Sequence, residues 1–321
     1  MDSLYLAAYR ILLPRRYRRY LERADGDKDM VRETLLHGTF YEEYRLYGFA
    51  SKSEAERRSY LTDAVRNKIC RKANNRRGQR IILDKWLTYN LFSDYYRRKA
   101  WLLEKESDIV PIAAEGMQYG RLVAKPVDKC GGRGVQLLQY SDERQWRERL
   151  AALLDKRGRW IVEECIVQDE PMARWNRDTV NTIRMNTIMK GDIVTHYTPF
   201  ILSGRKGNFV NNGAQGGLFA SINVADGRIA TDAYDENGNR YECHPDSGTP
   251  FCGEQIPRWN ELLEITATMA RRLPGVTYVG WDIALSLDGW VCVEANKGEF
   301  VAQQTTLGRG LRKEFEQLCG I

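Results

Sequence analysis

Asp282, Glu294 and Asn296 are the residues in this chain whose types and spacing could do the most chemistry. Asp282 lies in the apolar run Gly280-Trp281-Asp282-Ile283-Ala284-Leu285, and the other two lie in Val291-Cys292-Val293-Glu294-Ala295-Asn296. Asp288-Gly289 between the runs predicts a tight hairpin turn. Strand alternation then puts Glu294 and Asn296 on one face. Two carboxylates and an amide oxygen converging from adjacent strands are hard ligands suited to Mg²⁺ that also holds phosphate. Paired structural acids bridged to arginines would explain the burial of charge but not the Glu-x-Asn spacing.

A second constellation suits phosphate directly. Leu122-Val123-Ala124-Lys125-Pro126 ends a strand in a lysine, and Lys129-Cys130-Gly131-Gly132-Arg133-Gly134-Val135 follows as a glycine-rich turn. Glycines let backbone N–H groups approach anionic oxygens, and the lysine supplies a point charge. No helix opens directly after the glycines, which excludes a Walker A loop and a dinucleotide fingerprint. A plain glycine-rich hairpin would look the same. Further on, Trp160-Ile161-Val162-Glu163-Glu164-Cys165-Ile166-Val167 is an apolar strand ending in acids, with Asp169-Glu170-Pro171 beyond it. Such a segment can offer a purine an apolar slot, a backbone edge and an acceptor, though a buried strand entering a charged turn reads identically. None of the three histidines (His37, His196, His244) stands in a nucleophilic triad context.

These residues need a mixed scaffold to position them. Residues 29–47 and 53–74 read as helices, with spaced apolar residues among charges. From about residue 108 short apolar runs punctuated by glycine predict strands over 121–125, 135–139, 160–165, 182–189, 193–201, 218–222, 278–285 and 291–295. Helices are expected over 142–155, 258–273 and 307–319. The expected organisation is a helical region over 1–107, a smaller lobe over 108–167 and a larger lobe with the metal ligands over 168–321, joined near Glu164–Asp169.

Composition bounds the class. Of 321 residues, 43% are hydrophobic and 29% charged, as in a globular protein, and no apolar run approaches a membrane span. The first ten residues lack a secretory leader, and seven scattered cysteines without a CxxC pair fit reduced thiols; a cytoplasmic location is expected. The net charge of +6 is uneven: residues 1–107 hold 24 Lys and Arg against 15 Asp and Glu. A basic third can meet nucleic acid, but no nucleic-acid module motif accompanies it, so that partner ranks last. Leu4, Leu6, Ile11, Leu12 and Leu13 before Arg15-Arg16-Tyr17-Arg18-Arg19 could rest on an anionic membrane, although packing onto the core is the usual fate of such a segment.

In the order Lys85, Lys125 with the glycine loop, the acidic strand end, Arg184 and Asp282…Glu294-x-Asn296, the chain resembles the ATP-grasp superfamily over roughly residues 80–310. Phe40-Tyr41-Glu42-Glu43-Tyr44-Arg45, Thr182-Ile183-Arg184-Met185-Asn186-Thr187 and Asn211-Asn212-Gly213-Ala214-Gln215-Gly216-Gly217 are similar to the sugar-transfer-associated members. The resemblance implies an α+β fold of two lobes gripping ATP, here with a helical, basic N-terminal region where family ligases usually begin with a small β/α lobe. It implies ATP and Mg²⁺ as cofactors. Lys85, Lys125, Arg184 and Gly131, Gly132 and Gly134 would hold phosphates. Glu163 would accept from the adenine amine, Glu164, Cys165 and Ile166 would line the purine, and Glu170 would hold ribose. Asp282, Glu294 and Asn296 would hold the metal. The implied activity is an ADP-forming ligase that activates a small-molecule carboxylate, sugar- or amino-acid-derived, for attack by an amine. A kinase on the same fold and a non-catalytic nucleotide-binding scaffold are the rivals. For the acceptor, Arg205, Asn211, Asn212 and Gln215 crowd the glycine-rich stretch 203–217, where arginine suits a carboxylate.

Overall fold

The computed structural model describes residues 27–156, 158–209, 211 and 216–321. The segment of Leu4 to Arg19, and Asn212 and Gln215, lie outside the described residues.

The first described third is helical, but in short pieces: α1 (Lys28–His37), α2 (Tyr41–Leu46), α3 (Glu54–Arg58), α4 (Asp63–Ala73), α5 (Arg76–Leu83) and α6 (Lys85–Tyr96). The expected helix over 29–47 breaks because Gly38 caps α1 in a left-handed conformation, φ 70°. That over 53–74 breaks at Thr62, whose hydroxyl caps α4. Glu43 on α2 is 2% exposed and accepts from the backbone N–H groups of Phe40 (2.9 Å) and Asp63 (2.6 Å). Burial, reinforced by Asp63, outweighs those two donors and pushes its carboxyl up to about 8. The folded chain therefore holds this proton more tightly than the unfolded chain. The contribution to stability is full below the ordinary value of 4.5 and is lost as pH rises through about 8. The melting temperature, compared with that of Glu43→Gln, is expected to fall from mildly acidic to mildly alkaline buffer. Parallel curves for the two proteins would mean that Glu43 stays ionised.

Two antiparallel sheets follow. The smaller contains β1 (Ala100–Leu103), β2 (Arg121–Pro126), β3 (Gln136–Gln139) and β4 (Trp160–Glu164) in the order β1-β4-β2-β3. Helices α7 (Ile109–Tyr119) and α8 (Glu143–Leu154) supply its core, where Trp146 and Leu150 are fully buried. Gly116 on α7 lies against that Trp146 ring, 2.6 Å from where a Cβ would stand, so a larger residue would separate the helices. The expected boundary at 107 cuts through this lobe: β1, read as part of the helical region, pairs with β4 from Ala100↔Glu163 to Leu103↔Trp160.

The short α9 (Glu170–Ala173) leads into the larger sheet. Its strands are β5 (Thr182–Lys190), β6 (Ile193–Ser203), β7 (Leu218–Ser221), β8 (Ala233–Tyr234), β9 (Arg240–Tyr241), β10 (Tyr278–Ser286) and β11 (Gly289–Asn296), ordered β11-β10-β5-β6-β7-β8-β9. Helix α10 (Trp259–Arg272) contributes to the core on one face with Trp281 and Ile283. On the other, α11 (Val301–Leu307) and α12 (Arg312–Cys319) flank a cluster of Tyr278, Phe300 and Phe315 that α4 joins through Ile69. With both faces covered, every residue of β10 is buried. Among the described residues no helix is long and apolar enough to cross a membrane.

Candidate functional site

A cavity of about 500 Å³ opens between the two sheets. The smaller sheet lends it Val123 and Lys125 from β2 and Glu163 and Glu164 from the end of β4, with Cys165 and Ile166 following. Lys129–Arg133 covers one side; Gly131 and Gly132 there adopt left-handed φ of 68° and 65°, which a side chain would strain. Gly134 stands outside the lining, its missing Cβ directed at Pro126 Cγ, 3.0 Å away. Leu83, Val123, Val135, Ile166 and Val293 are among the apolar residues of the lining.

Glu163 is not a free acceptor. It is 2% exposed, forms an ion pair with Lys125, and takes two hydrogen bonds from Arg98, at 2.9 Å from Nε and 2.7 Å from Nη2. Burial alone would raise its carboxyl, but Arg98 and Lys125 together hold it below the usual range. A neutral amine arriving at this carboxylate would have to displace a cation, so the expected adenine contact is corrected to a clamp on Lys125. Glu164 accepts from the Lys99 backbone N–H at 2.7 Å. Arg98 was not legible in the sequence; it also donates to the Cys292 carbonyl at 2.7 Å, tying the small lobe to β11.

On the larger sheet, pairing register assembles a charged row. Asp282 on β10 stands opposite both Arg184 on β5 and Glu294 on β11. Arg184 grips Asp282 with two nitrogens, Nη2 donating to Oδ2 at 3.0 Å, and its Nη1 reaches Glu299 at 3.4 Å. Lys85, at the start of α6, lies 3.4 Å from Glu294 and donates to the Lys129 carbonyl. Burial pushes the Asp282 carboxyl up to about 6 against the pull of Arg184, and Glu294 and Glu299 add repulsion. Three carboxylates, those of Asp282, Glu294 and Glu299, thus stand near one another beside Arg184 and Lys85. Asn296 Nδ2 comes within 3.5 Å of Asp282 Oδ2. Among the described residues no three His, Cys, Asp or Glu side chains group as a complete metal site. The carboxylates of Asp282 and Glu294, with the Asn296 amide oxygen, which accepts from the Gly298 N–H at 2.7 Å and has a second lone pair, nonetheless fit Mg²⁺, which usually completes its shell with phosphate and water.

Two expected contacts fall elsewhere. Glu170 is not in the cavity wall; it pairs with Arg177 on an exposed surface. Arg205 is likewise outside, held by Asp246 through Nε at 2.8 Å and Nη2 at 2.9 Å. Asn211 does line the cavity, donating to Val180 O at 3.0 Å and Thr182 Oγ1 at 2.8 Å. The far end is built instead from residues the sequence did not single out: Asp63 and Arg66 of α4, Glu236, Lys297 and Glu299. Arg66 pairs with Asp63 at 3.0 Å and donates to the Gly298 carbonyl, so the helical region forms part of the cavity wall.

A family model described as "Sugar-transfer associated ATP-grasp" matches residues 64–320. Among solved structures, the D-alanyl-alanine synthetase A from Vibrio cholerae is 12% identical at TM-score 0.50, over 77% of this chain and 67% of that one. The D-alanine-D-alanine ligase from Coxiella burnetii is 9% identical at TM-score 0.44, over 70% and 50%. The ATP-grasp ligase PsnB complexed with minimal precursor is 15% identical at TM-score 0.47, over 77% and 62%. The chain thus spans between half and about two thirds of the length of these structures. No curated protein matches it.

Proposed function

The chain belongs to the sugar-transfer-associated ATP-grasp family, and from that premise we propose that it is an ATP- and Mg²⁺-dependent ligase joining a carboxylate to an amine. The observation that carries the reading is the convergence of Lys85, Lys125, Arg184, Asp282 and Glu294 on one cavity between two sheets. A carboxylate is a poor electrophile, because an attacking amine would have to expel an oxide. A carboxylate oxygen that attacks the γ-phosphorus releases ADP and leaves an acyl phosphate. The amine then adds to the carbonyl carbon, phosphate departs, and the nitrogen loses a proton.

The protein's part is positioning and charge neutralisation. The purine takes the apolar part of the lining, with the Cys165–Ile166 backbone along its edge. Lys125, oriented by Glu163, and Lys85 meet phosphate oxygens. Arg184 sits at the γ-phosphate end, fixed by Asp282. Mg²⁺ on Asp282, Glu294 and Asn296 would offset negative charge on the β- and γ-phosphates. The carboxylate and amine enter from the end walled by Arg66, Glu236, Lys297 and Glu299, because Arg205 is turned away onto Asp246. Sugar- or amino-acid-derived substrates suit that mixture of charges.

The experiment is an ADP-release screen over paired carboxylates and amines, with phosphate measured in parallel and hydroxylamine added to trap an acyl phosphate. A ligase releases ADP and phosphate together and yields a hydroxamate. ADP without free phosphate, and a phosphorylated product, would mean a kinase.

Gly280 offers a test that substitutes none of the ligand residues. A Cβ there would stand 2.7 Å from Asn296 Oδ1 and 3.0 Å from Gly298 Cα. Gly280→Ala is expected to push Asn296 aside and raise the half-saturating Mg²⁺ concentration by about tenfold, as displaced support of a ligand does. A Mg²⁺ titration of ADP release checks it, and an unchanged requirement would remove Asn296 from the metal set.

A further inference from the structure

We propose that the outward face of α4 and α5, with the tip of the β5–β6 hairpin beside it, docks on an anionic lipid membrane. Between Asp63 and Asp84 the chain carries no acid. Lys68, Arg71, Lys72, Arg76, Arg77 and Arg80 are all exposed there. None of the six has an ion pair among the described residues, whereas Arg57, Arg98, Arg159 and Arg174 are each paired. Helical spacing puts Lys68, Arg71 and Lys72 on one side of α4, where like charges repel unless something external neutralises them.

The face is rigid. Ile69 and Ile82 are buried beneath it, and Gly78 leaves no room for a Cβ against Val276 and Pro274. Arg71, Lys72 and Arg76 share a cleft with Gly191 of the hairpin. Ile193, two residues on, is 71% exposed, Lys190 is exposed beside it, and Asp192 is the one acid of that turn. An apolar tip rimmed by unpaired cations matches the interfacial region of a bilayer, where Lys and Arg meet anionic headgroups and an aliphatic side chain enters below them. Nucleic acid fits less well: neither residues 64–83 nor 189–194 contain an aromatic side chain on which a base could stack. Lys190 ends the strand on which Arg184 lies, about 20 Å along it at the usual rise per residue. Docking therefore leaves the nucleotide cavity unobstructed.

The test is co-sedimentation of the full chain with phosphatidylcholine vesicles, with and without phosphatidylglycerol, at low and high salt. Binding at least about tenfold stronger to the anionic vesicles, weakened by salt, is expected. The Arg71→Glu, Lys72→Glu, Arg76→Glu triple variant should lose that preference while keeping its melting temperature and its ADP release in solution. Ile193→Asp should lower the fraction retained at high salt. Equal binding by the triple variant, no preference for anionic lipid, or stronger capture by RNA than by vesicles would each overturn the proposal. ADP release in solution is read separately, so this result does not depend on the ligase assignment.

Discussion

Glu294→Gln is expected to lower ATP-dependent turnover by about 10²-fold or more while the protein still folds. Its carboxylate is part-exposed, 23% of the side chain, and its ion partner Lys85, at 3.4 Å, also donates to the Lys129 carbonyl, so that cation keeps a partner when the charge is removed. What is lost is negative charge where, on the proposed reading, a divalent ion sits against phosphate. Asp282→Asn should cost at least as much activity and, in addition, stability. Asp282 is the buried counter-charge of Arg184, and breaking a buried pair from one side costs roughly 3–5 kcal/mol. ADP release across a Mg²⁺ titration, with melting temperatures for both variants, separates the two effects. Near-normal Mg²⁺-dependent turnover by Glu294→Gln would end the metal assignment.

Glu163→Gln should have the second-largest effect, and its pattern discriminates between two roles. If Glu163 read the adenine amine, the variant would lose its preference for ATP over GTP and little else. Clamped between Arg98 and Lys125, it should instead weaken both nucleotides together. Lys125 would lose its anchor, and two nearly buried cations, with side chains 5% and 14% exposed, would face each other unneutralised. The stability cost is again of the order of 3–5 kcal/mol for an orphaned buried charge. Competition binding with ATP and GTP, alongside denaturant melts, decides it. A variant of wild-type stability that merely stops distinguishing the bases would restore the hinge role.

The contrast between these two positions shows what the sequence could and could not carry. Asp282 and Glu294-x-Asn296 were legible because a hairpin fixes their relation locally: the turn, the alternation and the residue types all lie within 17 residues. Lys125, Gly131 and Gly132 were legible for the same reason, whereas Gly134, expected beside them, packs toward Pro126 outside the lining. Glu163 was legible as a buried acid on a strand end, but its partner is set by packing, and Arg98 reaches it from 65 positions away. Arg66 and Glu236 join the cavity through tertiary contacts that no local pattern announces. Strand β1 was hidden because Ala100–Leu103 is only four residues long and has no alternating pattern to separate it from the helices before it. Arg205 misled by composition, since an arginine among glycines invites a ligand, while Asp246, 41 positions away, already satisfies it.

Because the charged row runs across β5, β10 and β11, it cannot exist on a growing chain until β11 has left the ribosome. Arg184 and Asp282 are 98 positions apart, and Glu294, which pairs opposite Asp282, comes 12 positions later still. At synthesis rates of about 5–20 residues per second, β10 spends on the order of a second with its outer edge unpaired and a carboxylate among apolar neighbours. An open edge of that kind is a template for pairing with other chains. Nascent chains stalled short of residue 289 should therefore recruit chaperones and fail to be rescued by nucleotide, whereas the finished chain gains a ligand that favours its native state.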